Sequence, residues 1–259
     1  MPHLVLALAL AALLAVPARA QDEIEPDRPG VSTGTRTVPV RAVQLEAGLE
    51  YGQTSDGATA HRFAVEGTLR VGLTERLELR LDGEPLVHLH GPADDTDHGD
   101  LTLSVKYRFF DPDPGTGLPS LGVLPFVKLP LASAPIGSER VDFGLTLLAS
   151  AELPWALALD ANAGVAAVGQ RDPDGFLVQG LVSASLARRF LERLTVFAEL
   201  FFASRDERAG RHQLGTDGGV IFLATRTIAV DGAVETTLSG DGPNYTVRAG
   251  LSVRFGGPR

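Results

Sequence analysis

Two groups of residues have the types that metal or covalent chemistry needs. His88 and His90 share one face of the chain, and His98 lies near them with Asp94, Asp95 and Asp97. Imidazoles and carboxylates bind zinc and related ions, but a closed site needs them at set spacings. The spacing here matches none, so a solvated acidic loop is expected, with no metal and no other cofactor. A hydrolase built on this chain would need a serine beside a histidine that a third polar group orients. Ser104 comes nearest, predicted in the same hairpin as His88, His90 and His98. No spacing fixes a nucleophile beside a base, so an ordinary inward hydroxyl is the plainer account. No catalytic residue is expected.

A larger set of charges repeats with a period of two. Val43 to Tyr51 alternates apolar and polar residues without a break. In the next arm Arg62, Glu66 and Arg70 oppose Phe63, Val65, Leu69 and Val71, and after Gly72-Leu73-Thr74-Glu75 the residues Glu78, Arg80 and Asp82 oppose Leu77, Leu79 and Leu81. Successive side chains on a strand point to opposite faces, so each arm has an oily face and an ionic one. A soluble sandwich buries its apolar faces against each other and needs no ordered ionic rows. A barrel in lipid with a wet interior needs both.

The pattern recurs to the end of the chain. Further alternating segments cover Gly99–Phe109, Leu121–Leu131, Val141–Leu153, Ala156–Val168, Phe176–Ala187, Arg193–Ala203, Gln213–Ala224, Thr227–Thr237 and Tyr245–Phe255. The segment at Leu121–Leu131 is the weakest strand, because Pro125 and Pro130 cannot donate to a ladder. Twelve segments of about nine to eleven residues suit tilted membrane strands. The expected fold is all-β, a transmembrane antiparallel up-and-down β-barrel of about 12 strands. Polar stretches such as Gly52–Ala60 and Val87–Asp97 read as long outer loops, and most alternate connections are short. Only Asp111–Ser120 breaks that asymmetry. Aromatic residues are 6% of the chain, thin for two interfacial girdles.

The predicted lumen lining is Glu46, Arg62, Glu66, Arg70, Glu78, Arg80, Lys106, Arg108, Asp142, Asp160, Glu199, Asp231, Arg248 and Arg254. These charges either frame a solute path or fill a narrow barrel with ion pairs, since twelve strands lie between side-chain-filled barrels and porins. Their mixed signs argue against a strong ion preference.

The ends of the chain and its composition set the context. Leu4 to Val16 is an apolar run followed by Pro17 and Ala18-Arg19-Ala20, which reads as a signal peptide over residues 1–20. Residues 21–42 carry three prolines without periodicity and read as an extended lead-in, leaving the barrel at 43–259. A net charge of −9 argues against nucleic acid as a partner. The absence of cysteine excludes disulfides and thiolate sites.

Several of these stretches in succession resemble the outer-membrane "transporter" proteins grouped as the Putative MetA-pathway of phenol degradation family. They are Asp27-Arg28-Pro29, VQLEAGLEY, GLTERLELR, GDLTLSVKYRF, FVKLP and VRAGLSVRF. The resemblance implies an outer-membrane barrel that admits small, often hydrophobic or aromatic, compounds, and it transfers no site residues. One departure is that Phe255 is followed by Gly256-Gly257-Pro258-Arg259 rather than ending the chain. The expected function is passive uptake of small solutes across the outer membrane, with lipid and solute as partners. A lipid-processing barrel enzyme and a non-conducting structural or adhesion barrel are the alternatives.

Overall fold

The computed structural model describes residues 23–257 apart from 57 and 114. The expected signal peptide and its cleavage site lie outside the described residues. The strands run in chain order as β1 (Ala42–Asp56), β2 (Ala58–Gly72), β3 (Leu77–His90), β4 (Asp95–Asp97), β5 (Leu101–Phe110), β6 (Ser120–Leu129) and β7 (Asp142–Leu153). They continue as β8 (Leu157–Gln170), β9 (Gly175–Phe190), β10 (Leu194–Ala203), β11 (Gln213–Leu223), β12 (Ile228–Gly240) and β13 (Tyr245–Gly256). Each pairs antiparallel with its neighbours, β3 passing the ladder directly to β5, while the three-residue β4 adds only to the far end of β3. β1 pairs with both β13 and β2, so twelve strands close into a barrel. Closure satisfies every strand edge internally, as a wall surrounded by hydrocarbon requires.

Alternation decides which face meets which solvent. Leu45, Leu49, Leu79, Leu103, Leu147, Val178, Leu200, Val234 and Leu251 stand exposed on the outside. Gln44, Glu46, Arg70, Glu78, Lys106 and Ser252, on the other face, are each at most 1% exposed. A protein in water would have these preferences reversed, so the outer solvent is lipid. The exposed aromatics fall into two bands. Tyr51, Phe143, Phe176, Phe202 and Tyr245 lie toward the end with the longer loops; Tyr107, Phe109, Phe110, Trp155, Phe190, Phe222 and Phe255 lie toward the opposite, terminal end, where β1 begins and β13 finishes.

The strands reach further than the alternation suggests. Residues expected in the loop Gly52–Ala60 extend β1 and β2, which stay paired to Asp56 and Ala58. The expected loop Val87–Asp97 is largely strand: β3 continues to His90 and turns back into β4. Polar residues on both faces hid these extensions, because beyond the apolar belt neither face needs to be oily. β6 forms despite Pro125. Its ladder to β7 is continuous, whereas the ladder to β5 skips from Ser104–Phe126 to Tyr107–Val123. The proline therefore sits where no donor is asked of it on that side.

Residues 23–41 do not merely lead in. They enter the barrel at the terminal end, loop through its interior, and return to join β1, where Arg41 N–H donates to the Gly72 carbonyl at 3.1 Å.

Candidate functional site

An extended segment without sheet partners must place its backbone N–H groups somewhere. Here the barrel wall receives them. Arg28 N–H donates to Glu46 at 3.2 Å, Val31 and Ser32 N–H to the two oxygens of Glu199 at 2.8 and 2.6 Å, and Thr33 N–H to Asn162 at 2.7 Å. Thr35 N–H follows onto Ser150 at 2.9 Å, and Val38 N–H onto Glu78 at 2.7 Å. Side chains continue the pattern: Ser32 meets Ser183 at 2.8 Å and Thr35 meets Ser120 at 2.6 Å. At the entry, Ile24 packs on Leu223 and Ala229, and Arg254 donates to the Glu23 carbonyl at 3.0 Å. With the ion pairs below, all twelve barrel strands touch this inner segment.

Two charged residues of the segment fit opposite deficits in the wall. Asp27 pairs with Lys106 at 2.7 Å, Arg70 at 3.2 Å and Arg80. Burial disfavours the ionised Asp27, but Arg70, Lys106 and Arg80 outweigh it and hold the carboxyl well below the usual carboxylate range. Arg28 points the other way, 2.5 Å from Glu66 and 3.6 Å from Asp231. Gly48 and Gly250 make room for its guanidinium. A Cβ on Gly250 would come within 2.6 Å of Arg28 Nε, and one on Gly48 would overlap the guanidinium.

The other predicted lining residues also face inward and are engaged there. Arg70 bonds Glu46 at 2.7 Å and Glu78 at 2.8 Å. Arg248 joins Glu50 at 3.0 Å and Glu235 at 2.7 Å, and Arg62 extends the row to Glu50 and Glu84. Asp160 accepts from Ser150 at 2.5 Å beneath Gly34. Asp142 lies nearer the loop end with Lys128 at 2.6 Å, and Arg108 lies at the terminal rim with Asp111 at 3.0 Å. Above the segment's turn, a cavity of about 560 Å³ extends toward the loops between Asp27, Arg28, Glu66, Arg80, Glu84 and Lys128.

The interior is lopsided. Charges crowd β1–β3, β5, β12 and β13. The facing sector sets Phe126, Leu148, Leu181, Phe197 and Phe201 on inward positions among its own acids Asp142, Asp160, Glu199 and Asp217, with Leu148 1%, Phe197 7% and Phe201 5% exposed. Sequence reading passed over this apolar sector, because a Phe or Leu inside looks the same in the alternation as one slipped by a residue. It assigned no site role to Asp27, Arg28 or Ser32, which lie outside any periodic segment.

The residues considered for metal or hydrolytic chemistry are not gathered into one site. Ser104 is buried on the inner face of β5, whereas His88 and His90 lie on the outer face of β3 with Phe63 and His61 as their cross-strand neighbours. The barrel wall separates hydroxyl from imidazole. Among the described residues, no group of three or more His, Asp or Glu side chains is arranged to hold a metal ion.

Similarity to known proteins follows the same architecture. An outer membrane channel from Pseudomonas putida F1, known from a crystal structure, superposes with a TM-score of 0.72 at 15% identity, covering 88% of this chain and 99% of that one. The NanC porin gives 0.56 at 9% identity over 82% and 98% of the two chains. The KdgM porin in complex with disordered oligogalacturonate gives 0.54 at 10% identity over 83% and 99%. At such identities these likenesses speak for the fold. No curated protein sequence matches the chain. The model of one family matches residues 26–255, nearly the whole described barrel together with its inner segment, and the chain belongs to that family, described as "Putative MetA-pathway of phenol degradation".

Proposed function

We propose that the protein is an outer-membrane channel for passive uptake of small solutes with apolar or aromatic bodies, and that the inner segment sets its constriction. One observation carries this reading. The lumen is neither a uniform polar pore nor a solid core of ion pairs, but a densely charged sector facing one where large apolar side chains stand among fewer acids, across a segment of the chain itself. A solute with an apolar face and a polar tip finds partners for both along such a passage. The barrel's likeness to outer-membrane channels and porins supports the setting. Export by the N-terminal signal places both termini in the periplasm and the longer loops outside. On this reading the charged residues position the inner segment and hydrate the path, and none does covalent chemistry.

Proteoliposome swelling tests it. The protein should admit a small aromatic carboxylate faster than a monosaccharide of similar size. A variant lacking residues 24–37 should admit both, several-fold faster. If neither protein passes ions or either solute while both keep heat-modifiable migration, the channel reading fails and a non-conducting structural barrel replaces it.

A further inference from the structure

On the outer face of β1–β3, near the loop end, five ring side chains share a groove of about 340 Å³: Tyr51, His61, Phe63, His88 and His90. His61 and His90 are direct cross-strand partners, and their rings lie 6.2 Å apart between centroids with planes 22° apart. His88 is two positions before His90 on the same face. The sequence separates His61 from the other two by a whole strand, and only the register of β2 and β3 brings them together.

The hydrogen bonds of these rings follow one pattern. His61 Nδ1 meets the Tyr51 hydroxyl at 2.8 Å, His90 Nδ1 meets Asp94 Oδ1 at 2.8 Å, and His88 Nδ1 meets Thr96 Oγ1 at 2.7 Å. In each ring Nε2 is the nitrogen left for a ligand. The Asp94 carboxylate can only accept, so it fixes the His90 tautomer with Nδ1–H and leaves Nε2 as the basic nitrogen, the usual support of a metal-binding histidine; the Tyr51 and Thr96 hydroxyls orient their rings and can accept the same Nδ1–H when Nε2 binds an ion.

We propose that His61 and His90 bind a single borderline transition ion, of the Zn²⁺ or Ni²⁺ class, through their Nε2 atoms at the outer rim of the barrel. Tyr51 and Asp94 orient the two rings, His88 flanks the groove, and water completes the shell. Neutral imidazole suits these ions better than it suits calcium or magnesium. The rings now lie nearly parallel, so they must turn about their side-chain bonds to aim both Nε2 lone pairs at one ion, ~2.0–2.1 Å from each; neither side chain is buried, which leaves them free to do so.

The test uses the full-length, tag-free barrel in detergent, titrated with Zn²⁺ and Ni²⁺ by calorimetry, with bound metal counted after dialysis. The expected result is one ion per barrel. His61→Gln and His90→Gln should each weaken binding ~10-fold or more, and Asp94→Asn should weaken it less but measurably. His98→Gln should leave it unchanged, since His98 lies beside Gly99 and Asp97 outside the groove. Heat-modifiable migration of each variant shows that the barrel is intact. Absence of stoichiometric binding, or equal binding in the His61→Gln/His90→Gln double variant, overturns the proposal.

Discussion

Asp27 is the residue on which the interior charge balance turns. Around it the wall supplies Arg70, Arg80 and Lys106 against Glu46, Glu78 and the more exposed Asp82, and Asp27 is the acid that pairs with all three cations. Removing one partner from such a cluster leaves a buried charge uncompensated, which costs on the order of 3–5 kcal/mol. The pH sense follows from the depressed carboxyl. A group whose native value lies below its unfolded one, near ~4, adds stability that is full above that value. The contribution is lost only as pH falls through the lower, native value. Limited proteolysis of the inner segment at about pH 5 should therefore spare the wild type and cut Asp27→Asn. Equal protection of both proteins would remove Asp27 from this role. The wall charges were legible in the sequence because they repeat every second residue. Asp27 and Arg28 were not, since a segment held by side-chain acceptors needs no period.

At the level of elements, the inner segment and the strands depend on different bonds. Each barrel strand is fixed by backbone ladders on both sides, whereas the segment is fixed mainly through wall side chains that accept its N–H groups, donate to its carbonyls and pair with Asp27 and Arg28. The segment can therefore shift without opening the barrel, and its attachment to β9 and β10 tests this. Ser32 Oγ and Ser183 Oγ lie 2.8 Å apart, and the chain has no cysteine of its own. A Ser32→Cys/Ser183→Cys pair should oxidise readily, since the tips of the two side chains already touch. If passage requires the segment to move, the oxidised protein should lose most solute flux in swelling assays and regain it with reductant. Unchanged flux in the oxidised state would mean that solutes pass beside a static segment. The proline-rich stretch 21–42 offered only its composition to the sequence reader. Its path depends on acceptors drawn from strands up to 168 residues away, which no local pattern records.

For the whole molecule, one alternation serves two solvents. The outer apolar belt was readable from the sequence because lipid demands it of every strand, whereas the two aromatic bands, thin by composition, appear once the strands are aligned. The lumen makes no such uniform demand, so its division into charged and apolar sectors appears only when register brings the strands together. Phe201 and Phe197 rest against Gly215 and Gly219, where any Cβ would collide with their rings. The aromatic sector is thus built by pairing a large residue on β10 with none on β11. If this sector recognises the apolar body of the solute, Phe197→Ser/Phe201→Ser should lower flux of the small aromatic carboxylate several-fold. Flux of the monosaccharide should stay the same or rise, because the change enlarges and hydrates the path. The closed ladder between β10 and its neighbours does not involve either side chain, so assembly and heat-modifiable migration should persist. A parallel fall in both fluxes would instead mean that these rings hold the wall in shape, and that solute selectivity is set by the charged sector around Asp27 and Arg28.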